Sequence, residues 1–116
     1  MFKNKHSFDY RQQESYRLLQ KYPDRIPVII EKNNNSKKNK LQTLAKNKFL
    51  VPKILTIGQF VYVIKQKLKI QPEEAIFLFV NNILPKVTDR MIDIYDRYKD
   101  KDGYVYITYF NENTFG

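Results

Sequence analysis

The sequence contains no cysteine. Disulfide staples, thiolate zinc sites and thiol nucleophiles are therefore excluded, and the composition fits a reducing compartment. Histidine is nearly absent as well: the single example, His6, lies in the polar opening "MFKNKHSFDYRQQ". One imidazole cannot build a multi-histidine metal site, and a base near a frayed chain end is a poor partner for a serine nucleophile. Long apolar runs are missing. Nothing approaches the ~18 residues of a membrane span, and the N-terminal stretch lacks the apolar centre of a signal peptide. Glycine-rich phosphate loops, paired-carboxylate motifs and EF-hand spacings do not occur. The chain is expected to be no enzyme and to need neither cofactor nor metal.

Acid is scarce beside base: 12 Asp and Glu stand against 21 Lys and Arg, a net charge of +9. Such a surface draws phosphates, anionic headgroups and acidic peptides. Nine tyrosines and eight phenylalanines could in principle stack bases. Most of them keep strand or helix periodicity, as core residues do, so nucleic acid is not an expected partner. What is present is enough for a fold. The 116 residues are 42% hydrophobic, and a chain of this length forms one domain burying about two-thirds of its unfolded surface.

Along the chain, "SFDYRQQESYRLLQKY" (7–22) reads as a helical extension in one or two pieces. Ser7 caps it, Tyr16, Leu19 and Tyr22 share its apolar stripe, and Pro23 ends it, because the residue before proline avoids the helical region. "RIPVIIEK" (25–32) is a strand, with Val28 and Ile30 on one face and Ile29 and Glu31 on the other. Residues 33–48 form a basic loop without acid. "KFLVPK" (48–53) is a second strand, and Pro52, which has no N–H to donate, makes it an edge. "TIGQFVYVIKQKL" (56–68) is the clearest helix: Thr56 and Gln59 make a capping box, and Ile57, Phe60, Val61, Ile64 and Leu68 one stripe.

"AIFLFV" (75–80) is a continuous apolar run that suits a central strand. Asn81-Asn82 turns it into a short strand at "ILP". Thr88 or Asp89 caps a short helix with Met91, Ile94, Tyr95 and Tyr98 inward. "DKDG" (100–103) is a turn before the last strand, "YVYITYF" (104–110). One main helix between two strand pairs, with the last strand returning centrally, is an α+β, ubiquitin-like β-grasp plan. It divides into a helical extension (1–24), a β-grasp domain (25–110) and a flexible tail (111–116). The tail, "NENTFG", reads in two ways: a frayed end, or a glycine carboxylate that is itself the reactive group.

The blocks "KYPDRIPVIIEK", "KFLVP", "LTIGQFVYVIKQKL", "AIFLFVNNILP", "YKDKDGYVYITY" and "NENTFG" resemble the autophagy ubiquitin-like modifiers of the GABARAP and microtubule-associated light-chain-three type. The resemblance runs over nearly the whole chain in the family's order. It implies conjugation of Gly116 to phosphatidylethanolamine by activating and conjugating enzymes, with Phe115 as a recognition contact and a protease that processes or deconjugates the tail. A glycine carboxylate suits this chemistry, having no side chain to obstruct an enzyme tunnel. The resemblance further implies a protein that is monomeric in solution, cytoplasmic, and on the autophagosome membrane when lipidated.

It also implies a docking site for receptors bearing an aromatic-x-x-aliphatic motif, added as an extra strand. The aromatic pocket falls on Glu14, Leu18, Pro27, Ile29, Lys48, Leu50 and Tyr104. The aliphatic pocket falls on Phe49, Val51, Pro52, Leu55, Phe60, Val63 and Ile64. Arg25, Lys46 and Lys67, with Lys48, would meet acidic flanks of the motif. Ile29, Val51 and Val63 are expected to lie away from the inner face. Phe77 and Phe79 resemble a rear docking site but suit a buried strand better. The loop 33–45 is longer and more basic than the family's usual one, and Ala45 and Asn47 replace its usual acid and base. The alternative is a β-grasp module that is never conjugated, a basic adaptor for tubulin or RNA.

Overall fold

The computed structural model describes residues 1–33 and 41–111. The first elements are α1 (Phe2–Lys5) and α2 (Phe8–Lys21). Ser7 caps α2 by accepting a hydrogen bond from the Tyr10 N–H at 3.1 Å. Two expectations change here. The opening residues are not frayed, because Phe2 is buried and His6 sits between the rings of Phe2 and Tyr10. The buried face of α2 runs through Ser15 and Leu18, whereas Tyr16 is 65% exposed. Apolar spacing alone misplaced the stripe, since the inward positions of α2 include polar side chains whose partners lie far along the chain.

The sheet contains β1 (Arg25–Lys32), β2 (Lys48–Pro52), β3 (Ile76–Phe79) and β4 (Val105–Asn111), in the order β2-β1-β4-β3. β1 pairs antiparallel with β2 and parallel with β4, and β3 pairs antiparallel with β4. β2 is an edge, as Pro52 required. Pro27 is tolerated inside β1 because the pairing with β4 begins only at Val28. β3 is the other edge, not a central strand. Its apolar run covers both faces without being enclosed on both: Ile76 and Leu78 are buried, while Phe77 and Phe79 are half-buried and pack on Phe110 with centroids at 5.8 and 4.5 Å. β4, flanked on both sides, is the returning central strand and extends to Asn111, a residue assigned to the tail by its polarity.

α3 (Ile57–Leu68) carries the expected capping box between Thr56 and Gln59. α4 (Met91–Tyr98) starts from Arg90 with no side-chain cap; Thr88 and Asp89 do not fill that role. Backbone does the work instead: the Met91 and Ile92 N–H groups donate to the carbonyls of Leu55 and Lys53 at 2.7 and 3.0 Å. The strand expected at "ILP" reduces to one bridge, Val80 with Ile83, around Asn81 and Asn82 at φ 49° and 62°.

One face of the sheet packs on α3 and α4 through an apolar core that includes Ile26, Val28, Ile30, Phe60, Ile64, Met91, Val105, Ile107 and Tyr109. The opposite face holds a smaller cluster, Phe2, Leu18, Ile29 and Tyr104, beneath α1 and α2. Leu41 joins the main core, and the Leu44 N–H donates to the Tyr109 hydroxyl at 3.0 Å, so the end of the basic loop is bound to the body.

Candidate docking face

Along β2 the side chains alternate between the two faces, so the edge strand borders both helical layers. Leu50 lies opposite Pro27 and packs toward Leu18, Ile29 and Tyr104; Lys48 lies opposite Ile29. Phe49 and Val51 lie opposite Val28 and Ile26 and join the core under α3. A groove of about 510 Å³ runs along this edge between α2 and α3. Leu18, Leu50, Phe49 and Val63 supply its apolar wall, and Lys46, Lys48 and Lys67 its charge.

The residues expected in the aromatic pocket come together. Glu14 is paired with Lys48 and accepts a hydrogen bond from the Tyr104 hydroxyl at 2.6 Å. Burial by itself would raise the Glu14 carboxyl. Hydrogen bonds from Lys48, Tyr10 and Tyr104, with the Lys48 charge, outweigh that and hold it at about 2. Burial, then the bond to this carboxylate, pushes the Tyr104 phenol up. Tyr104 therefore stays protonated as the donor. Pro27 and Ile29 are buried beneath this pair.

In the aliphatic set, only part lies at the groove surface. Phe49 and Val63 line the groove and are half-buried; Pro52 and Leu55 are half-buried too but are not among its lining residues. Phe60 and Ile64 are 1% and 0% exposed and belong to the core; Phe60 backs the wall, edge-on to Phe49 at 6.1 Å. Val51, expected away from the inner face, is 3% exposed and inside the main core, and Ile29 is fully enclosed in the smaller one. Ile29 does point away from the main core, but that face of the sheet is covered too, by α1 and α2; Val51 lies opposite Ile26 and shares its inward face. Val63 alone of the three stays half-exposed at the groove. Of the cationic residues, Lys46 and Lys67 are exposed, and the Arg25 guanidinium donates to the Leu50 carbonyl at 3.1 Å. Phe115 and Gly116 lie outside the described residues.

Several site-forming residues had no local signal. Leu44 and Ala45 line the groove, though the loop reads as polar and basic. Asp102 is fully buried, ion-paired with Arg11 at 2.6 Å, and accepts hydrogen bonds from the Tyr106 hydroxyl and, at 2.9 Å, the Tyr104 N–H. The Ser15 hydroxyl donates to the Asp102 carbonyl. These bonds seat α2 on the start of β4 and so build the aromatic side of the groove. The "DKDG" turn gives no hint that one of its acids meets Arg11, 91 residues away.

The family described as "Autophagy protein Atg8 ubiquitin like" matches residues 10–116. The chain belongs to this family. Autophagy-related protein 8 of Mycosarcoma maydis is 52% identical over 115 residues, covering 99% of this chain and 95% of that protein. Autophagy-related protein 8 of Aspergillus niger matches to the same extent. The crystal structure of Trypanosoma brucei ATG8 superposes with a TM-score of 0.91 at 40% identity, over 99% of this chain and 97% of that one. The ubiquitin-like fold with helices preceding the sheet is thus an Atg8 fold, and the role it carries is that of a ubiquitin-like autophagy protein.

Proposed function

We propose that this Atg8-family chain is a modifier, not an enzyme, that is conjugated through Gly116 to phosphatidylethanolamine and, on the autophagosome membrane, docks receptors along β2. The observation that carries the docking half is the β2 edge and the single groove beside it, with Leu18 and Leu50 toward one helical layer and Phe49 and Val63 toward the other. Among the described residues no strand pairs with the outer side of β2, so an incoming strand can, placing alternate residues toward Leu50 and toward Val63. An aromatic residue suits the side walled by Leu18, Leu50 and the Lys48–Glu14 pair; an aliphatic one suits Phe49, Leu55 and Val63. Lys46 and Lys67 meet acidic flanks. The body runs from 25 through the end of β4 at Asn111 after an extension of 1–24, and the tail delivers the carboxylate.

Family membership supports the conjugation half. Its partners are then the activating and conjugating enzymes of a ubiquitin-like pathway and a protease acting on the tail. Attached lipid would turn a monomer into a membrane-anchored protein, and the +9 charge would favour anionic surfaces. The test is reconstitution of the intact and Gly116-deleted proteins with cognate enzymes, ATP and phosphatidylethanolamine vesicles. The intact protein gains the lipid mass and floats with the vesicles; the deleted one does neither. Lipid mass on the deleted protein, or none on the intact one, removes conjugation from the reading. Docking is tested separately, by titrating an acidic-flanked aromatic-x-x-aliphatic peptide, for which micromolar binding at β2 is expected, about −8 kcal/mol.

A further inference from the structure

A second cavity, of about 530 Å³, adjoins the docking groove at Lys48 but opens toward α1 and the end of β1. Lys5, His6, Lys32, Thr43, Asn47 and Lys48 stand in its wall. Its described lining has more cations than acids. Among the described residues, neither Lys5 nor Lys32 has an acid within ion-pair distance, whereas Lys3, Arg11 and Lys48 each do. Among the described residues Glu31 is the one acid in the wall; its carboxylate accepts the Phe2 N–H at 2.8 Å and keeps its charge, leaving Lys5, Lys32 and Lys48 in excess. The rings of Phe2 and Tyr10 hold His6 between them, each with its centroid 4.8 Å away, so that side of the wall is built before any ligand arrives.

Cations that outnumber acids in a concavity raise the local concentration of anions, and ammonium donors suit the oxygens of a phosphomonoester. The volume lies within the ~300–1,000 Å³ of small-ligand sites. The apolar surface that an aromatic anchor requires is in the neighbouring groove, so this cavity does not duplicate the docking pocket. Thr43 and Asn47 add neutral hydrogen-bonding groups of the kind a polyol uses. We propose that this cavity binds a phosphorylated inositol ring, with Lys5 and Lys32 on its phosphates. The same ring chemistry occurs as a soluble inositol phosphate and as a lipid headgroup, and the inference is independent of both conjugation and peptide docking.

The experiment is an NMR titration of the isotope-labelled full chain with soluble inositol trisphosphate at physiological salt. Saturable shifts are expected at the amides of Lys5, His6, Lys32 and Asn47. Lys5→Gln with Lys32→Gln should weaken binding about tenfold or more, the loss of one charge-assisted hydrogen bond or greater. Lys46→Gln with Lys67→Gln should leave it nearly unchanged. A parallel arm compares flotation on phosphatidylcholine vesicles with and without phosphatidylinositol bisphosphate. Headgroup-dependent flotation assigns the ligand to a membrane, and binding of the soluble probe alone assigns it to a soluble inositol phosphate. Equal shifts from sulfate, equal losses in both double variants, or shifts that arise only with a phosphorylated docking peptide would overturn the proposal. An unchanged spectrum of Lys5→Gln/Lys32→Gln away from the cavity serves as the folding control.

Discussion

The two faces of the sheet are held by different physics. Under α3 and α4 the contacts are apolar, a continuous core from Ile26 to Tyr109 with Ile64 and Met91 fully enclosed. Under α1 and α2 the cluster is small, and polar ties do much of the joining: Arg11 to Asp102, Lys3 to Asp100, Glu14 to Lys48 and Tyr104, and the Phe2 N–H to Glu31. Apolar burial is non-directional and insensitive to salt and proton activity, while ion pairs and directed hydrogen bonds respond to both. One face therefore sets whether the chain folds at all. The other sets whether the helical extension is seated, and with it the aromatic side of the β2 groove.

The largest expected effect is on the apolar face. Ile64→Ala should cost about 3–4 kcal/mol, lowering the melting temperature by on the order of 10 °C, with α1 and α2 lost in the same transition. Differential scanning calorimetry checks it; a loss below about 1 kcal/mol would mean that this face does not dominate.

Asp102→Ala should act locally. It leaves the Arg11 guanidinium without its acid and removes the acceptor of the Tyr104 N–H, a loss of about 3 kcal/mol. Amide exchange should accelerate across α2 while α3 and β1 keep their protection. If all elements open together, the two faces are one cooperative unit and the comparison fails.

The third prediction separates the faces by pH. The Glu14 carboxyl is held at about 2 in the fold against an ordinary 4.5. A depressed carboxylate stabilises fully above its unfolded value, so this contribution is complete above about pH 4.5 and is lost as pH falls toward 2. It amounts to roughly 2–3 kcal/mol. Urea midpoints measured from pH 6 down to pH 2 should show that limb in the parent and a flatter one in Glu14→Gln, while Ile64→Ala keeps the parent's slope.

The smallest effect is expected at the seam. Lys46→Glu with Lys67→Glu changes exposed charge alone, so stability should move by less than about 0.5 kcal/mol. Affinity for an acidic-flanked docking peptide should fall by about 1 kcal/mol, with a weaker salt dependence. Isothermal titration at two salt concentrations measures it, and unchanged affinity would move the acidic contacts elsewhere.

Much of this was legible locally. The capping box at Thr56 and Gln59, the Asn81-Asn82 turn, the strand at 25–32 and the edge marked by Pro52 each depend on a few adjacent residues, and each occurs in the structure. Where assignment depended on what lies across the fold, it went astray. β3 reads as central because its run is apolar on both faces, yet Phe77 and Phe79 cover Phe110 at an edge. Ile29 reads as outward because a strand has two faces, and the sequence does not say that α1 and α2 cover the second; Val51 reads as outward because the sequence does not say which face of the edge strand meets Ile26.

By itself, then, the amino-acid order determined most of the elements, the edge at β2 and the family to which the chain belongs, because short-range sterics, capping and side-chain periodicity act within a few residues. Tertiary structure alone decided that Phe2 is buried, that Leu44 and Ala45 line the groove, and that Asp102 holds α2 through Arg11. Those outcomes rest on pairings across tens of residues, and a charged or apolar side chain carries no mark of a partner that only folding brings within reach.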